Sequence, residues 1–155
     1  MKVVAPRLIA AAMVAVLLVG GADLAAQMKQ ETLYKRLGGY DALAAVTDDF
    51  IGRLATDKQL SKFFVGHSKD SLGHIRQLIV DQLCAVTGGP CIYVGRSMKV
   101  AHVGLGITDA DWDVSVKHLV ATLDKFKVPQ KEKDEVLGAI STLKADIVEA
   151  PAKKM

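Results

Sequence analysis

Apolar residues recur at spacings of three and four along most of this chain, and pairs of glycines interrupt the pattern. Such spacing places apolar side chains on one face of an α-helix. The sequence contains no strand-like alternation and no internal repeat. Because 155 residues suffice for one domain with a sizeable core, we predict a single all-α domain.

Glycines mark the start of the first predicted helix and the end of the second. One helix begins near Asp41, whose carboxylate suits the first turn, directly after the break at Gly38-Gly39. The other runs from about Ser71 to Thr87 and ends at Gly88-Gly89-Pro90, a glycine stop followed by proline. The predicted buried residues are Leu43, Val46, Phe50 and Leu54 on the first helix and Leu72, Ile75, Ile79, Leu83 and Val86 on the second.

Two more helices are predicted in the second half of the chain. The helix from Asp109 to Lys127 has a candidate capping box, in which Thr108 is followed by Asp111 three residues later. The last helix carries Pro129 in its first turn, where a missing N–H is tolerated. Their predicted buried residues are Trp112, Val116, Leu119, Leu123 and Phe126, and then Val136, Ile140, Leu143 and Ile147.

The first 26 residues are organised like a secretory signal peptide. A short basic start is followed by an uninterrupted apolar run from Leu8 to Val19, and small residues precede a cleavage position at Gln27. An uncleaved membrane anchor is the alternative, although the run is short for a span. We expect a signal peptide at residues 1–26, a domain at residues 27–155, and an exported protein that is periplasmic or secreted.

The charge balance of the chain is close to neutral. The formal net charge of +3 falls to about +2 when Lys2, Arg7 and Asp23 leave with the leader. This charge is too weak to imply binding to nucleic acid or to a membrane surface. We expect no nucleic-acid partner, no stable membrane span after cleavage, and a monomer or weak dimer.

The predicted domain holds two cysteines, Cys84 and Cys91. A disulfide is permitted in the oxidising compartment that an exported protein meets, and the glycines and proline between the two residues could fold the chain back. Two small buried hydrophobic side chains are the alternative, because spacing does not show how closely the backbones approach. The spacing does exclude Cys-x-x-Cys redox chemistry and covalent c-type haem attachment through Cys-x-x-Cys-His.

Among the four histidines, His102 has the most informative position. It ends the linker-like run that starts at Gly88, on a predicted short helix. No zinc-ligand spacing, nucleophile elbow or phosphate loop occurs in the sequence. A lone histidine in an all-helical, apolar setting has one well-known use, axial ligation of haem iron. On spacing alone, the alternative is a histidine that is hydrogen-bonded within the protein or exposed to solvent. We expect His67 to be exposed and His118 to lie at the solvent edge.

A set of short motifs is distributed along the chain. They are Leu33-Tyr34-x-Arg36-Leu37-Gly38-Gly39, Asp49-Phe50, Phe63-Phe64, Gly88-Gly89-Pro90-x-x-Tyr93-x-Gly95-x-x-Met98-Lys99-x-x-His102, Gly106-Ile107-Thr108 and Val128-Pro129. In this order, and over nearly all of the chain after the leader, they resemble the group I truncated haemoglobins. The resemblance implies a two-over-two helical sandwich around a non-covalent haem b, with His102 as the proximal iron ligand.

The resemblance implies further haem contacts. Phe64 matches an aromatic residue that packs on the haem face, and Tyr93, Met98 and Ile107 are expected to line the proximal side. Lys99 could pair with a haem propionate, with a solvated lysine as the alternative. Trp112 is expected to line the interior of the haem pocket. An ordinary core residue, which is the alternative, would have the same position.

On the distal side the chain departs from many of these proteins. They place a tyrosine where this chain has Ile51, so the hydroxyl that hydrogen-bonds dioxygen is missing here. The next helix offers Ile75, Leu78 and Ile79 where polar residues often lie. We expect an apolar distal pocket that releases dioxygen quickly, because a lost hydrogen bond removes roughly 1 kcal/mol of selective stabilisation. Capture of the iron by His74 is the alternative.

Reversible binding of a diatomic gas (dioxygen, with nitric oxide or carbon monoxide as further ligands) is the function that the resemblance implies, in oxygen transport or nitric oxide detoxification. Nitric oxide dioxygenation or weak peroxidase chemistry would be a side activity that requires an external redox partner. A non-haem, exported helical module that binds a partner or a metal is the competing hypothesis.

Overall fold

The computed structural model describes residues 31–149, and every regular element in that range is helical. The elements are α1 (Leu33–Arg36), α2 (Gly39–Thr56), a 3-10 helix (Ser61–Phe64), α3 (Lys69–Val86), α4 (Met98–His102), α5 (Asp109–Lys125), α6 (Gln130–Ser141) and α7 (Lys144–Ile147). The all-α prediction is confirmed. The predicted signal peptide lies outside the described residues, and within them no helix is long and apolar enough to cross a membrane.

The glycine pairs end and start helices as predicted. Gly38 precedes α2 in the left-handed conformation, with φ of 97°, which glycine adopts without a steric cost. After α3, the N–H of Gly88 donates to the carbonyl of Ala85, and the N–H of Gly89 donates to that of Cys84. This pair of bonds is a Schellman motif, and it satisfies carbonyls that the last turn of α3 leaves open.

A reciprocal capping box begins α5, as the sequence predicts. The Asp111 N–H donates to Thr108 Oγ1 over 3.2 Å, and the Thr108 N–H donates to the Asp111 carboxylate over 3.0 Å. Gln59 Nε2 also donates to Asp111, over 2.8 Å. Burial would raise the pKa of Asp111, but the hydrogen bonds from Gln59 and Thr108 outweigh burial and lower it. Asp111 therefore joins the start of α5 to the corner that follows α2.

Two apolar clusters form the core between the long helices. One joins α2, α5 and α6 through Val46, Leu119, Leu123 and Val136. The other joins α2 to α3 through Leu43, Leu83 and Cys84. Since α2 packs against both α3 and α5, it is the central element of the described domain.

Two predicted core positions are wrong. Val86 is 42% exposed, because α3 turns a neighbouring face inward that carries Val80, Cys84 and Thr87. The Thr87 hydroxyl donates to the Leu83 carbonyl, so this polar residue is buried at no hydrogen-bonding cost. Phe126 is 39% exposed, because it caps the end of α5 instead of lying within it.

The last predicted helix is also wrong in its length, because it is two helices in the structure. Pro129 is the N-cap of α6, which ends at Ser141, and Leu143 precedes the separate helix α7. Near the break, the hydroxyls of Ser141 and Thr142 donate to backbone carbonyls three residues earlier. Such local bonds compete with the helical ladder, which explains the interruption.

Candidate site around His102

His102 is the last residue of the short helix α4 and is partly buried. Its Nδ1 lies 2.7 Å from the carbonyl oxygen of Met98, one turn earlier. Because a carbonyl can only accept, Nδ1 carries the proton and Nε2 keeps its lone pair. Metal-ligating histidines use this arrangement, in which a bond at one ring nitrogen orients the other. The imidazole therefore suits the single protein ligand that haem iron requires.

The loop before α4 is closed by its own side chains. Tyr93 donates its hydroxyl hydrogen to the carbonyl of Arg96 over 2.7 Å. The Tyr93 ring lies so close to Gly95 that a Cβ at Gly95 would overlap with it. This contact explains why a glycine stands between the tyrosine and α4. Tyr93 thus shapes the loop that leads to His102, and its predicted role on the proximal side of the haem stays a prediction.

Cys84 and Cys91 form a disulfide, with their Cα atoms 5.7 Å apart. Cys84 is fully buried in the cluster between α2 and α3, and Cys91 packs against the same cluster. The disulfide therefore ties the end of α3 to the start of the loop that carries the chain to α4.

The remaining predicted haem contacts on this side of the sequence lie on α4, just before α5 and in the first turn of α5. Met98 and Ile107 are partly buried, and Trp112 is buried in the first turn of α5. Lys99 is exposed on α4, three residues before His102, so its ammonium is available to an acidic group at the surface. The structure thus brings Met98, Lys99 and His102 together on one short helix.

The predicted distal residues lie on α2 and α3, and all are partly buried except His74. They are Ile51 on α2 and His74, Ile75, Leu78 and Ile79 on α3. Phe64, which is predicted to pack on the haem face, is partly buried at the end of the 3-10 helix. An ion pair of 2.6 Å between Asp48 and Arg76 joins the two long helices next to Ile75. Ile79 also packs against the core cluster that contains Cys84.

The polar side chains near the middle of α3 have partners elsewhere or face solvent. Arg76 is paired with Asp48, and Gln77 donates to the Tyr40 hydroxyl over 2.7 Å. His74 is exposed. The distal role of His74 therefore requires its side chain to leave the surface position that it has in the structure.

The two remaining histidines have polar partners. His67 is exposed, as predicted, and its Nδ1 lies 3.0 Å from the hydroxyl of Ser71. His118 is partly buried, and its Nε2 lies 2.9 Å from the carboxylate of Asp57. Within residues 31–149, no group of three or more His, Cys, Asp or Glu side chains is arranged to hold a metal ion.

Sequence reasoning missed the hydrogen-bonded corner between α2 and the 3-10 helix. Asp57 accepts from His118 and from the N–H groups of Gln59 and Leu60, and these bonds lower its pKa. Gln59 in turn donates to Asp111 on α5. An aspartate that caps the second and third following residues is a local turn signal, so the Asp57 turn was detectable. The link to α5 was not, because it spans 52 residues.

An apolar cavity of about 100 Å³ lies in the core, away from His102. Residues of α2, α5 and α6 line it, among them Leu43, Val46, Leu123 and Val136. None of the site residues predicted from the sequence contributes to its wall. The cavity is therefore part of the core packing and does not locate the predicted cofactor.

Comparison with known proteins identifies the fold family. Residues 32–149 match the bacterial-like globin family. A group 1 truncated haemoglobin of Mycolicibacterium paratuberculosis is 36% identical over 124 residues, which cover 80% of this chain and 89% of that protein. The solved truncated haemoglobin of Tetrahymena pyriformis, in its Fe(III) form, is 28% identical with a TM-score of 0.71, over 77% of this chain and 100% of that one.

A second solved relative is the 2/2 haemoglobin of Synechococcus sp. PCC 7002, in the cyanomet state and with covalently attached haem. It is 29% identical with a TM-score of 0.70, over 76% of this chain and 98% of that one. These matches confirm the predicted two-over-two helical arrangement. The chain therefore belongs to the bacterial-like globin family and is a truncated globin.

Proposed function

We propose that this truncated globin binds haem b non-covalently through Nε2 of His102 and reversibly binds a diatomic gas. Membership of the globin family makes haem its cofactor and a diatomic gas its ligand. The observation that carries the assignment of His102 is the hydrogen bond from its Nδ1 to the Met98 carbonyl, over 2.7 Å. His102 would hold the haem, whose iron would supply a binding position for a small ligand.

The neighbouring residues support His102 in this role. The Met98 carbonyl holds the imidazole in one tautomer and orients its ring. In the proposed site, buried Trp112 and partly buried Met98 and Ile107 would provide apolar surface that excludes water. The exposed ammonium of Lys99 suits a propionate carboxylate at the mouth of the site.

The distal side of the proposed site is apolar. Ile51 cannot donate a hydrogen bond, and Arg76 and Gln77 on α3 are committed to Asp48 and Tyr40. A pocket without a donor stabilises dioxygen less than one with a tyrosine hydroxyl, whereas carbon monoxide and nitric oxide depend less on such a bond. We therefore infer a site that releases dioxygen rapidly.

The cofactor assignment is tested by adding haem to the purified full chain and recording its absorption spectrum. We expect one haem per chain for the wild type and loss of stoichiometric uptake in His102→Ala, because this variant lacks the imidazole that the proposal assigns to the iron. His67→Ala, which removes an exposed histidine, is the matched control and should bind haem normally. In His102→Gly, added imidazole should restore the wild-type spectrum.

Each alternative has its own outcome in this experiment. A His102→Ala variant with the native Soret band would refute His102 as the ligand. A reduced wild type that is six-coordinate, and becomes five-coordinate in His74→Ala, would show capture by His74. A folded, colourless wild type would favour a non-haem module.

Export with cleavage of residues 1–26 is part of the same proposal. The Cys84–Cys91 disulfide supports it, because such bonds persist mainly in oxidising compartments. The full chain, expressed in a bacterium that exports it, should yield a protein whose mass corresponds to a start near Gln27. Recovery of the intact chain in the cytoplasm would contradict export.

A further inference from the structure

The segment that follows His102 is open and rich in glycine. Gly104 and Gly106 have left-handed φ angles of 84° and 66°, and, apart from their own atoms and those of their chain neighbours, no heavy atom lies within 4 Å of the Cβ position of either. Val103 is 68% exposed and Leu105 is 46% exposed. The Leu105 N–H donates to the His102 carbonyl over 3.2 Å, so this open turn begins at the histidine itself.

The C-terminal part of the described domain holds the far end of this turn. The Glu149 N–H donates to the Ile107 carbonyl over 2.8 Å. The Gly106 N–H donates to the Glu149 carboxylate over 3.1 Å. Glu149 thus contacts two consecutive residues of the turn, one through its backbone and one through its side chain. We call this pair of hydrogen bonds the Glu149 clamp.

Helix α4 needs such support because it is short. It has five residues, and a helix of that length has too few internal hydrogen bonds to be stable alone. Its orientation therefore depends on tertiary contacts at its two ends. The disulfide and the Tyr93 loop act before it, whereas α7 packs against it and leads directly to Glu149.

We propose that Glu149 is a positioning residue for His102, acting through the turn at residues 103–107. The clamp fixes Gly106 and Ile107, and these residues define where the turn leaves His102 and where α5 begins. This inference rests on the proposed role of His102 as the iron ligand. In this proposal the carboxylate of Glu149, 47 residues from His102, limits rotation and tilt of the His102 imidazole.

A neighbouring ion pair provides a control for general docking of α7. Lys144 Nζ lies 2.8 Å from the carboxylate of Asp109, so this pair ties α7 to the first residue of α5. It does not involve residues 103–107. A variant that breaks it should loosen the same C-terminal segment without releasing the turn directly.

The test compares the full-length wild type with Glu149→Pro, Glu149→Ala, Glu149→Gln and Lys144→Ala. Proline removes both bonds of the clamp and is compatible with the extended backbone of Val148, which has φ of −80° and ψ of 125°. Alanine removes the carboxylate bond alone, and glutamine keeps an acceptor oxygen. Three measurements are made: hydrogen exchange of residues 97–108 in the haem-free protein, the iron–histidine stretching band of the ferrous protein, and the rate of haem loss to an acceptor globin.

We expect the effects to follow the number of bonds removed. Loss of one hydrogen bond should accelerate amide exchange at residues 103–107 and haem loss about fivefold, and Glu149→Pro should exceed Glu149→Ala. The iron–histidine band should shift or broaden in Glu149→Pro. Glu149→Gln and Lys144→Ala should resemble the wild type in all three measurements.

Two results would overturn the inference. One is an iron–histidine band and haem-loss rate in Glu149→Pro equal to those of a haem-loaded wild type. The other is an effect of Lys144→Ala as large as that of Glu149→Pro, since this would assign the role to general docking of α7. Failure of the haem assignment itself would be seen earlier and separately, as a wild type that takes up no haem.

Discussion

The hydrogen bond between His102 Nδ1 and the Met98 carbonyl decides which ring nitrogen is available to a metal. In the proposed site this single acceptor would orient His102 as a ligand, as the outer hydrogen-bond partners of ligating histidines do in metal sites generally. On the other side of the proposed site, the hydrocarbon side chain of Ile51 offers no hydrogen bond to a bound ligand. These two residues account for the expected chemistry: firm proximal ligation and weak discrimination in favour of dioxygen.

Replacing Ile51 with tyrosine should supply the missing donor. In the haem-loaded protein, we expect dioxygen dissociation to slow by about tenfold, which corresponds to a hydrogen bond of about 1.4 kcal/mol. Carbon monoxide dissociation should change less, because that ligand carries less negative charge. Stopped-flow measurement of both rates checks this, with Ile51→Phe as the control that adds the ring without the hydroxyl. Equal slowing in the two variants would show that bulk, and not hydrogen bonding, governs release.

The end of α3 shows how an element is stopped and then tied down. The Schellman bonds stop the helix, the Tyr34 N–H donates to the Thr87 carbonyl, and the disulfide binds the following loop. Gly89 lies in the middle of these contacts. A Cβ at Gly89 would stand 2.6 Å from the Tyr34 ring and 2.7 Å from the Cys84 sulfur. Close approach, and not an unusual φ angle, therefore requires glycine at this position.

Two glycine-to-alanine substitutions in this element should have opposite effects on stability. Gly89→Ala should lower the free energy of unfolding by about 1–3 kcal/mol, because neither the ring nor the disulfide can move away easily. Gly73→Ala, within α3 and with nothing within 4 Å of the Cβ position, should raise it by about 0.5–1 kcal/mol through helix propensity. Urea unfolding of both variants is the measurement. A neutral Gly89→Ala would mean that the loop can shift without cost.

At the scale of the whole molecule, acidic side chains join elements that are distant in sequence. Asp49 on α2 binds Arg53 and also Lys125 and Thr122 on α5, and these bonds lower its pKa. Asp111 is likewise held below its ordinary pKa of 3.8, and it joins α5 to the corner after α2. Both carboxylates contribute to folding in their ionised form.

The domain should therefore lose stability in acid. A carboxylate with a lowered pKa in the folded state contributes its full stabilisation above its unfolded pKa, and loses it as the pH falls through the folded value. We expect the free energy of unfolding of the wild type to decrease as the pH falls below about 4. Asp111→Asn should be less stable than the wild type at pH 7, and this difference should shrink in acid. Denaturant unfolding between pH 7 and pH 3 measures it, and Asp113→Asn, at an exposed position of the same helix, should show no such convergence.

Local patterns predicted the helices well wherever the signal lay within a few residues. The Thr108–Asp111 capping box and the glycine stop after α3 are present as predicted. The buried face of α3 was harder to predict, because Val86 and Thr87 compete for one inward position. Thr87 occupies it, since its hydroxyl donates a hydrogen bond to the Leu83 carbonyl of the same helix. The break before Leu143 was missed for a related reason, since hydroxyl-to-carbonyl bonds have no signature in an apolar pattern.

The linear sequence was sufficient for the all-helical class and the helix-ending glycines, because each depends on residue types at short, regular spacings. The role of His102 as iron ligand rests on the family resemblance and stays a prediction. The sequence left the Cys84–Cys91 disulfide open, and it gave no indication of the Asp111–Gln59 bond or the Glu149 clamp. Those features depend on the approach of residues that chain folding brings together. Packing of α2 against α3 and α5, and of α7 against α4, sets these distances, and no local propensity encodes them.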